Sequence, residues 1–206
     1  MELRDKNGLT EAEFLAGYQS GDWPHPSVTA DVLVFARDGG ELKLLLVRRG
    51  GHPYLGHWAL PGGFAEPGET IEQTAQRELL EETNLKGLRL VPVGFFTDPG
   101  RDPRCWSMTR AFMVLTNAIP PQVRAGDDAQ DTGWFTIHTR RAGEGFKLIL
   151  KGEQETICAH MKVREEKTPA GYVRWVDLLS QKGLAFDHGK IIVTALLKLN
   201  ESVKVL

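Results

Sequence analysis

The sequence has few cysteines, no apolar run long enough to cross a membrane, and no strong excess of either charge. Its 206 residues include 2 Cys, and 25 Lys and Arg stand against 27 Asp and Glu, for a formal net charge of -2. Cys105 and Cys158 lie far apart and outside any metal-binding spacing, so neither a disulfide framework nor a zinc site is indicated. We interpret both as small buried apolar residues.

The near-neutral charge and the amino terminus exclude further classes of partner. A net charge of -2 provides no general attraction to nucleic acid or to an anionic membrane, and we expect neither as a partner. The amino terminus is charged and lacks the apolar core of a signal peptide, so we expect a cytoplasmic protein.

The residues that are present divide the chain into three parts. Residues 1–26 form an N-terminal helical segment, because Thr10 and Glu13 have the spacing of a capping box. Residues 27–138 contain most of the predicted strands and the longest amphipathic pattern, and we interpret them as the core domain. Residues 139–206 form an insertion followed by a C-terminal helix that packs on the core.

Patterns of apolar residues predict the elements of the core. Two β-branched or leucine-rich runs around an Asp-Gly-Gly turn predict a hairpin over residues 28–48. A loop rich in Gly, Pro and His follows over residues 50–63, and apolar spacing predicts an amphipathic helix over residues 70–83. Further strands are predicted over residues 90–97, 105–116 and 134–137.

The pattern changes after residue 138. Residues 146–151 and 156–163 are predicted strands, residues 172–179 suit either a strand or a helix, and a helix follows Asp187. Residues 139–206 contain 12 basic and 8 acidic residues, a net of +4, whereas residues 1–138 have a net of -6. This asymmetry would suit a segment that binds a polyanion but is too small to argue for one.

Three carboxylates lie on one face of the predicted helix. Glu78, Glu81 and Glu82 are three and four residues apart, which places them side by side. Such a triplet is commonly a solvated helix face. If the carboxylates are partly buried, they repel one another, and a hard divalent cation such as Mg²⁺ or Mn²⁺ would relieve that repulsion.

The residues around the triplet favour a cation-binding cluster over a solvated helix face. Gly63 is followed after five residues by Glu69 and after seven more by Arg77-Glu78-Leu79, then by Glu81-Glu82 and Asn84-Leu85. This spacing, with the preceding residues 56–63, resembles the signature of the Nudix hydrolase family. Asn84 stands where the family usually has glycine, and Asn is the side chain that best replaces glycine in a left-handed helix cap.

The resemblance implies a fold, a cofactor and roles for residues. The implied fold is an α/β/α sandwich with a mixed sheet, here with a β-hairpin insertion before the C-terminal helix. The family cleaves nucleoside diphosphate derivatives with Mg²⁺, for which Mn²⁺ can substitute. The implied metal ligands are Glu78, Glu82, Glu81 and the backbone carbonyl of Gly62 or Gly63. The implied catalytic set is Glu81, which binds a further cation or handles the proton of the attacking water, together with Glu78, Arg77 and Glu69.

Three further segments favour ADP-ribose as the substrate, which would yield AMP and ribose 5-phosphate. Residues 98–104, 125–129 and 184–188 resemble segments of bacterial ADP-ribose pyrophosphatases. The candidate substrate-binding residues are Arg48, Arg49, Arg101, Arg104 and Asp128, with Asp127 as a neighbour. A guanidinium matches the geometry of phosphate oxygens, although a surface ion pair is the simpler interpretation for each arginine. Trp58, Phe64 and Trp106 could stack on an adenine but equally suit a core.

Other functions remain open at the level of sequence. The chain could cleave another nucleotide-linked diphosphate or a nucleoside triphosphate, or it could be a non-catalytic regulator that senses ADP-ribose. The complete carboxylate set, and the lack of a helix-turn-helix pattern after residue 138, argue against the regulator. Relatives often pair through exchanged amino-terminal segments, so a homodimer involving residues 9–18 is a hypothesis.

Overall fold

The computed structural model describes residues 2–19, 21, 23–123, 129–142, 145–169 and 171–202. Within them, three helices are α1 (Glu11–Gly17), α2 (Ile71–Thr83) and α3 (His188–Ser202). The strands are β1 (Ser27–Asp38), β2 (Glu41–Arg49), β3 (Trp58–Ala59), β4 (Gly62–Phe64), β5 (Val91–Phe96), β6 (Ser107–Thr116), β7 (Ala129–Ala142), β8 (Gly145–Lys151), β9 (Thr156–Thr168) and β10 (Gly171–Lys182).

These strands form one mixed sheet. Its order is β10-β9-β8-β7-β2-β1-β6-β5, while β3 pairs with β2 and β4 pairs with β1. Strand β1 is parallel to β6 and antiparallel to β2, so the sheet is mixed as predicted. The predicted hairpin over residues 28–48 is confirmed as β1 and β2.

Alternation along β1 separates the two layers that cover the sheet. Val32 and Val34 belong to a core cluster that includes Ala75 and Leu79 of α2. Leu33 lies on the opposite face, in the cluster that includes residues of α3. Because successive side chains of a strand point to opposite faces, α2 and α3 pack on opposite sides of the sheet. The predicted α/β/α sandwich is therefore confirmed.

Helix α2 has well-defined ends. The Thr70 hydroxyl accepts from the Gln73 backbone N–H, and the Gln73 side chain accepts in return from the Thr70 N–H, which completes a capping box. Asn84 ends the helix in the left-handed conformation (φ 59°, ψ 18°), as predicted for the residue that replaces glycine there.

Several elements differ from the sequence prediction. The segment 50–63, predicted as a loop, contains β3 and the start of β4, because short strands give too few residues for a periodic pattern. The strand predicted at residues 134–137 extends over the whole of β7. Residues 172–179 lie in β10, so the insertion is a run of three antiparallel strands that continues the core sheet rather than a separate hairpin. The proposed boundary at residue 138 falls within β7.

The amino-terminal helix is short and contributes little to the core. Thr10 caps α1 and Glu13 completes the capping box, as predicted. Its apolar side chains Phe14, Leu15 and Tyr18 are exposed, so the helix makes no buried contact within this chain. Among the described residues, no helix is both long and apolar enough to cross a membrane.

Candidate active site

Arg77 connects the carboxylates of the site. Its guanidinium donates two hydrogen bonds to Glu69, from Nε at 2.7 Å and from Nη2 at 3.1 Å. Nη1 donates to Glu78 at 2.7 Å and to Glu81 at 3.1 Å, and Nη2 also donates to the Phe64 carbonyl at 3.0 Å. These bonds hold the pKa of Glu69 at about 2 and raise the pKa of Arg77. Arg77 and Glu69 therefore fix the helix face against strand β4.

Glu82 is held by the first residue of β4. The Gly62 backbone N–H donates to its carboxylate at 2.9 Å. Burial raises the pKa of Glu82 to about 8, and the charges of Glu78 and Asp31 act in the same direction. Burial also raises the pKa of Glu78. Both carboxyls are therefore costly to ionise unless a positive charge approaches them.

The backbone at Gly62 and Gly63 approaches these groups closely. A Cβ atom on Gly63 would lie 2.4 Å from a carboxylate oxygen of Glu78, and one on Gly62 would lie 2.1 Å from the Ala30 carbonyl oxygen. Any larger residue would therefore displace its neighbours. Glycine at both positions brings the loop backbone to the carboxylates of α2.

The residues present suit a divalent cation. Glu78, Glu82 and the Gly63 carbonyl supply the oxygen ligands that Mg²⁺ and Mn²⁺ prefer. Among the described residues, no three acidic, histidine or cysteine side chains are grouped closely enough to form a metal site by themselves. Side-chain ligands would therefore be completed by backbone or water oxygens, and Glu78 would have to release part of its ion pair with Arg77.

A cleft of about 660 Å³ opens beside these carboxylates. It brings together many of the residues predicted from sequence. The predicted residues that line it are Arg48, Arg49, Arg101, Arg104, Gly62, Gly63, Phe64, Glu78 and Glu82. Glu81 lies on the same helix face, but it does not line this cleft and its side chain is 56% exposed. Asp127 and Asp128 lie outside the described residues.

Arginines and aromatic rings shape the cleft wall. The Arg104 guanidinium lies 5.0 Å from the Phe64 ring and 5.5 Å from the Phe186 ring, while Arg49 lies 5.0 Å from Phe186. Phe186 has a left-handed backbone (φ 49°), a conformation that costs energy in a residue with a side chain. Burial and the nearby charge of Arg104 lower the pKa of Arg49. An anion in the cleft would stabilise both guanidinium groups.

The contacts of Arg101 favour a structural role. Its guanidinium donates to both Asp187 carboxylate oxygens, at 2.8 and 3.2 Å, and its side chain is 4% exposed. The Ser107 hydroxyl lies 3.4 Å from the same guanidinium. This pair links the loop before β6 to the start of α3. A direct contact of Arg101 with substrate stays a prediction.

Arg104 and Arg48 are more accessible to a ligand. Arg104 forms an ion pair with Asp102 at 2.7 Å, and its side chain is 40% exposed. Burial acts to raise the pKa of Asp102, but the hydrogen bonds from Arg104 outweigh it and leave that pKa below its usual value. Arg48 donates to the Gly56 carbonyl at 3.2 Å and lies 5.9 Å from the Trp58 ring.

Sequence reasoning did not identify Asp31, which lies at the base of the cleft. Its carboxylate accepts from the Thr109 hydroxyl at 2.7 Å and lies 3.6 Å from the Arg101 guanidinium. Burial raises the pKa of Asp31. The signal in the sequence was a single carboxylate within an otherwise apolar strand.

His188 is a further buried member of this group. Its Nδ1 accepts from the Leu60 backbone N–H at 2.9 Å, and its Nε2 lies 3.6 Å from Asp31. Burial lowers the pKa of His188 to about 3. His188 is therefore neutral and holds the loop that leads to Gly62.

The two cysteines and Trp106 differ from what the sequence predicted. Cys105 is exposed and Cys158 only half-buried, so neither is the fully buried residue predicted, and both are free thiols. Cys105 lies in the loop before β6, and Cys158 lies in β9 on the face opposite the buried residues Ile157 and Ala159, positions that composition does not reveal. Trp106 is 51% exposed and does not line the cleft, whereas Trp58 is buried against Phe135.

Comparison with known families gives a match over the core. A NUDIX domain model matches residues 25–147. The ADPR responsive transcriptional repressor NtrR of Acinetobacter baylyi is 37% identical over 141 residues, which cover 66% of this chain and 55% of that protein. The ADP-ribose pyrophosphatase of Methanocaldococcus jannaschii is 37% identical over 114 residues, covering 55% and 64%. The chain thus spans between half and two thirds of these relatives.

Solved structures have the same architecture. A MutT/nudix family protein from Enterococcus faecalis aligns with a TM-score of 0.75 and 30% identity, over 94% of this chain and 70% of that one. The NUDIX domain of Shewanella oneidensis NrtR, solved with ADP ribose, aligns with a TM-score of 0.56 and 33% identity over 61% and 82%. These relatives include both a named enzyme and named regulators.

Proposed function

Since the chain belongs to the NUDIX family, we propose that it is a Mg²⁺-dependent pyrophosphatase that hydrolyses ADP-ribose to AMP and ribose 5-phosphate. One observation supports this most directly. The partly buried carboxylates Glu78 and Glu82, with raised pKa values, face a cleft whose other wall contains Arg48, Arg49 and Arg104. A diphosphate needs both features, because its oxygens must be neutralised before water can attack phosphorus.

Different residues would bind the phosphates and the cation. Arg49 and Arg104 would bind phosphate oxygens, since a guanidinium can donate two parallel hydrogen bonds. A cation bound by Glu78, Glu82 and the Gly63 carbonyl would neutralise diphosphate charge and lower the pKa of a water molecule. Manganese suits the same oxygen ligands.

The proton of the attacking water needs an acceptor. We assign this role to Glu81, whose carboxylate is the most exposed of the α2 triplet and is held by Arg77 at 3.1 Å. A glutamate side chain that water can reach is able to accept this proton. Arg77 and Glu69 act as positioning residues, since their hydrogen bonds are made to each other and to neighbouring acids.

We choose ADP-ribose among the possible diphosphates because it appears in the names of similar proteins. One is named an ADP-ribose pyrophosphatase, and another was solved with ADP ribose. The rings of Phe64 and Phe186 offer apolar surface next to the arginines, which suits a nucleoside. We place the protein in the cytoplasm, where such nucleotides occur, as an extension of the same proposal.

A second candidate function is a regulator that senses ADP-ribose. It is favoured by the similarity to a transcriptional repressor over 66% of this chain. The same cleft would then bind ADP-ribose without turnover. The enzyme is favoured because Arg77 bonds to Glu69, Glu78 and Glu81, and Glu82 is held beside them by the Gly62 N–H.

A substrate panel tests the proposal. The full chain is incubated with ADP-ribose, other nucleoside diphosphate derivatives and a nucleoside triphosphate, with Mg²⁺, with Mn²⁺ and with EDTA. We expect AMP release from ADP-ribose with either metal and none with EDTA. Glu82→Gln should lower the rate on the order of 1,000-fold, since a metal supplies several kcal/mol of stabilisation to the transition state.

The results separate the candidates. Binding of ADP-ribose without AMP release by the wild-type protein would favour the regulator. Release from another compound, with none from ADP-ribose, would leave the pyrophosphatase assignment and overturn the substrate.

A further inference from the structure

Positive charge is concentrated on one face of the sheet. In β7 to β10 the core residues Leu148, Ala159 and Val176 face α3, and the alternate side chains point the other way. We call the latter surface the outer face. Its described charged residues carry a net charge of +4 in a chain whose total is -2, and they are Arg140, Lys147, Lys151, Lys162, Arg164, Lys182, Glu166 and Asp177.

The strand register places like charges opposite one another. Arg140 of β7 pairs with Lys147 of β8, and Lys147 pairs in turn with His160 of β9. Like charges directly opposite in neighbouring strands destabilise a sheet. Within the described part of the chain, Arg140, Lys147, Lys151 and Lys182 make no salt bridge. An anion from outside the chain would remove this repulsion.

An aromatic side chain lies on the same face, next to Arg164. Trp175 of β10 pairs with Arg164 of β9, and the guanidinium lies 5.7 Å from the indole ring. Asp177 accepts from Arg164 at 2.8 and 3.2 Å and so fixes its position. The indole is 40% exposed and offers a flat surface. Bases of single strands stack on such surfaces, whereas bases in a duplex are not accessible.

We propose that the outer face binds single-stranded nucleic acid. Phosphates contact Arg140, Lys147, Lys151 and Lys182, and a base stacks on Trp175. Arg140 and Lys147 face each other across neighbouring strands, about 4.8 Å apart, and Lys151 lies four residues further along β8, about 13 Å away, so the cations follow a path that several nucleotides of an extended strand can span. The proposal is independent of the hydrolytic function and departs from the expectation, based on total charge, that nucleic acid is not a partner.

Fluorescence anisotropy with the full chain tests this. The probe is a labelled oligo-dT single strand, compared with a labelled duplex of equal length and with phosphatidylserine vesicles. With about four phosphates neutralised, the log–log salt slope for a single strand is about -3, so affinity should fall about 50-fold between about 50 and 200 mM salt. Trp175→Ala should weaken binding on the order of 10-fold at constant salt.

Matched variants separate a local site from total charge. The double variant Lys147→Gln and Lys151→Gln should reduce both the affinity and the salt slope. The double variant Lys86→Gln and Arg89→Gln removes the same charge from exposed residues elsewhere and should change neither. Trp23→Ala, at a residue 75% exposed, is the control for Trp175→Ala.

The outcomes decide the proposal. A preserved circular dichroism spectrum confirms that each variant is folded. Absence of binding at about 50 mM salt, where phosphate contacts are strongest, would overturn the proposal. Equal loss in both lysine variants, tighter binding to the duplex, or binding to vesicles alone would also overturn it.

Discussion

Replacement of Glu82 by Gln should stabilise the metal-free protein at high pH. The pKa of Glu82 lies at about 8 in the folded chain, against an ordinary value of 4.5. Between these values the folded state retains a proton that the unfolded state releases, so this group makes the folded state less stable as pH rises from 4.5 towards 8. Gln carries no charge, and its carbonyl can still accept from the Gly62 N–H.

The magnitude follows from the two pKa values. At pH 8 the difference corresponds to at most about 4 kcal/mol, because one pKa unit is equivalent to about 1.4 kcal/mol. At pH 5 it is below about 1 kcal/mol, since this pH lies only about half a unit above the ordinary pKa of 4.5. The stability gained by Glu82→Gln should therefore be large at pH 8 and small at pH 5.

Urea denaturation in EDTA, at both pH values, measures this difference. Glu81→Gln is the matched control, since its side chain is 56% exposed and pays little for burial. The reasoning would be refuted if Glu82→Gln destabilised the protein at pH 8, or if its effect were the same at both pH values. Addition of Mg²⁺ should reverse the order, because only the wild-type carboxylate can bind the cation.

Three further predictions concern the surroundings of the cleft. Arg101→Met should cost about 3–5 kcal/mol of unfolding free energy in urea denaturation, because it leaves the Asp187 carboxylate buried and unpaired. Arg164→Met breaks an ion pair whose two side chains are 56% and 42% exposed and should cost less than half as much. Equal losses would refute the assignment. Gly63→Ala should lower AMP release at least 10-fold while the fold is retained, since its Cβ would lie 2.4 Å from the Glu78 carboxylate. The control Gly17→Ala should have no effect, because no atom lies within 4 Å of the added Cβ. Full activity of Gly63→Ala would contradict the geometry. His188 should stay neutral from pH 8 to pH 5 when its titration is followed by NMR, because its pKa is about 3. Since the unfolded histidine takes up a proton below about pH 6.5, this group should make the folded state less stable as the pH falls below that value. A titration of His188 near pH 6.5 would contradict the burial argument.

The helix that carries the carboxylates could be predicted in detail from local sequence. The capping residues at Thr70 and Gln73 and the left-handed cap at Asn84 are set by side chains within a few positions of each other. The positions of Glu78 and Glu82 on one face follow from helical geometry alone. Residues close in sequence were therefore sufficient to predict the helix and the side-by-side placement of its carboxylates.

The other side of the site depends on contacts between distant residues. Arg101 is a residue type that often binds phosphate, but its guanidinium forms an ion pair with Asp187, which lies 86 positions away in the sequence. Asp31 reads as an irregularity in an apolar strand until Thr109 and His188 are brought beside it. Strand register likewise decides that Arg140, Lys147, Lys151 and Lys182 share one face. Such pairings are fixed by the tertiary fold and leave no local pattern.

Calorimetric titration of Mg²⁺ into the metal-free protein at pH 7 tests the central claim most directly. If Glu82 gives up its proton when the cation binds, the wild-type protein should bind with release of close to one proton, measured as a dependence of the heat on the ionisation enthalpy of the buffer. Glu82→Gln should show weak binding and no proton release. Absence of Mg²⁺ binding by the wild-type protein, with and without ADP-ribose, would contradict the account.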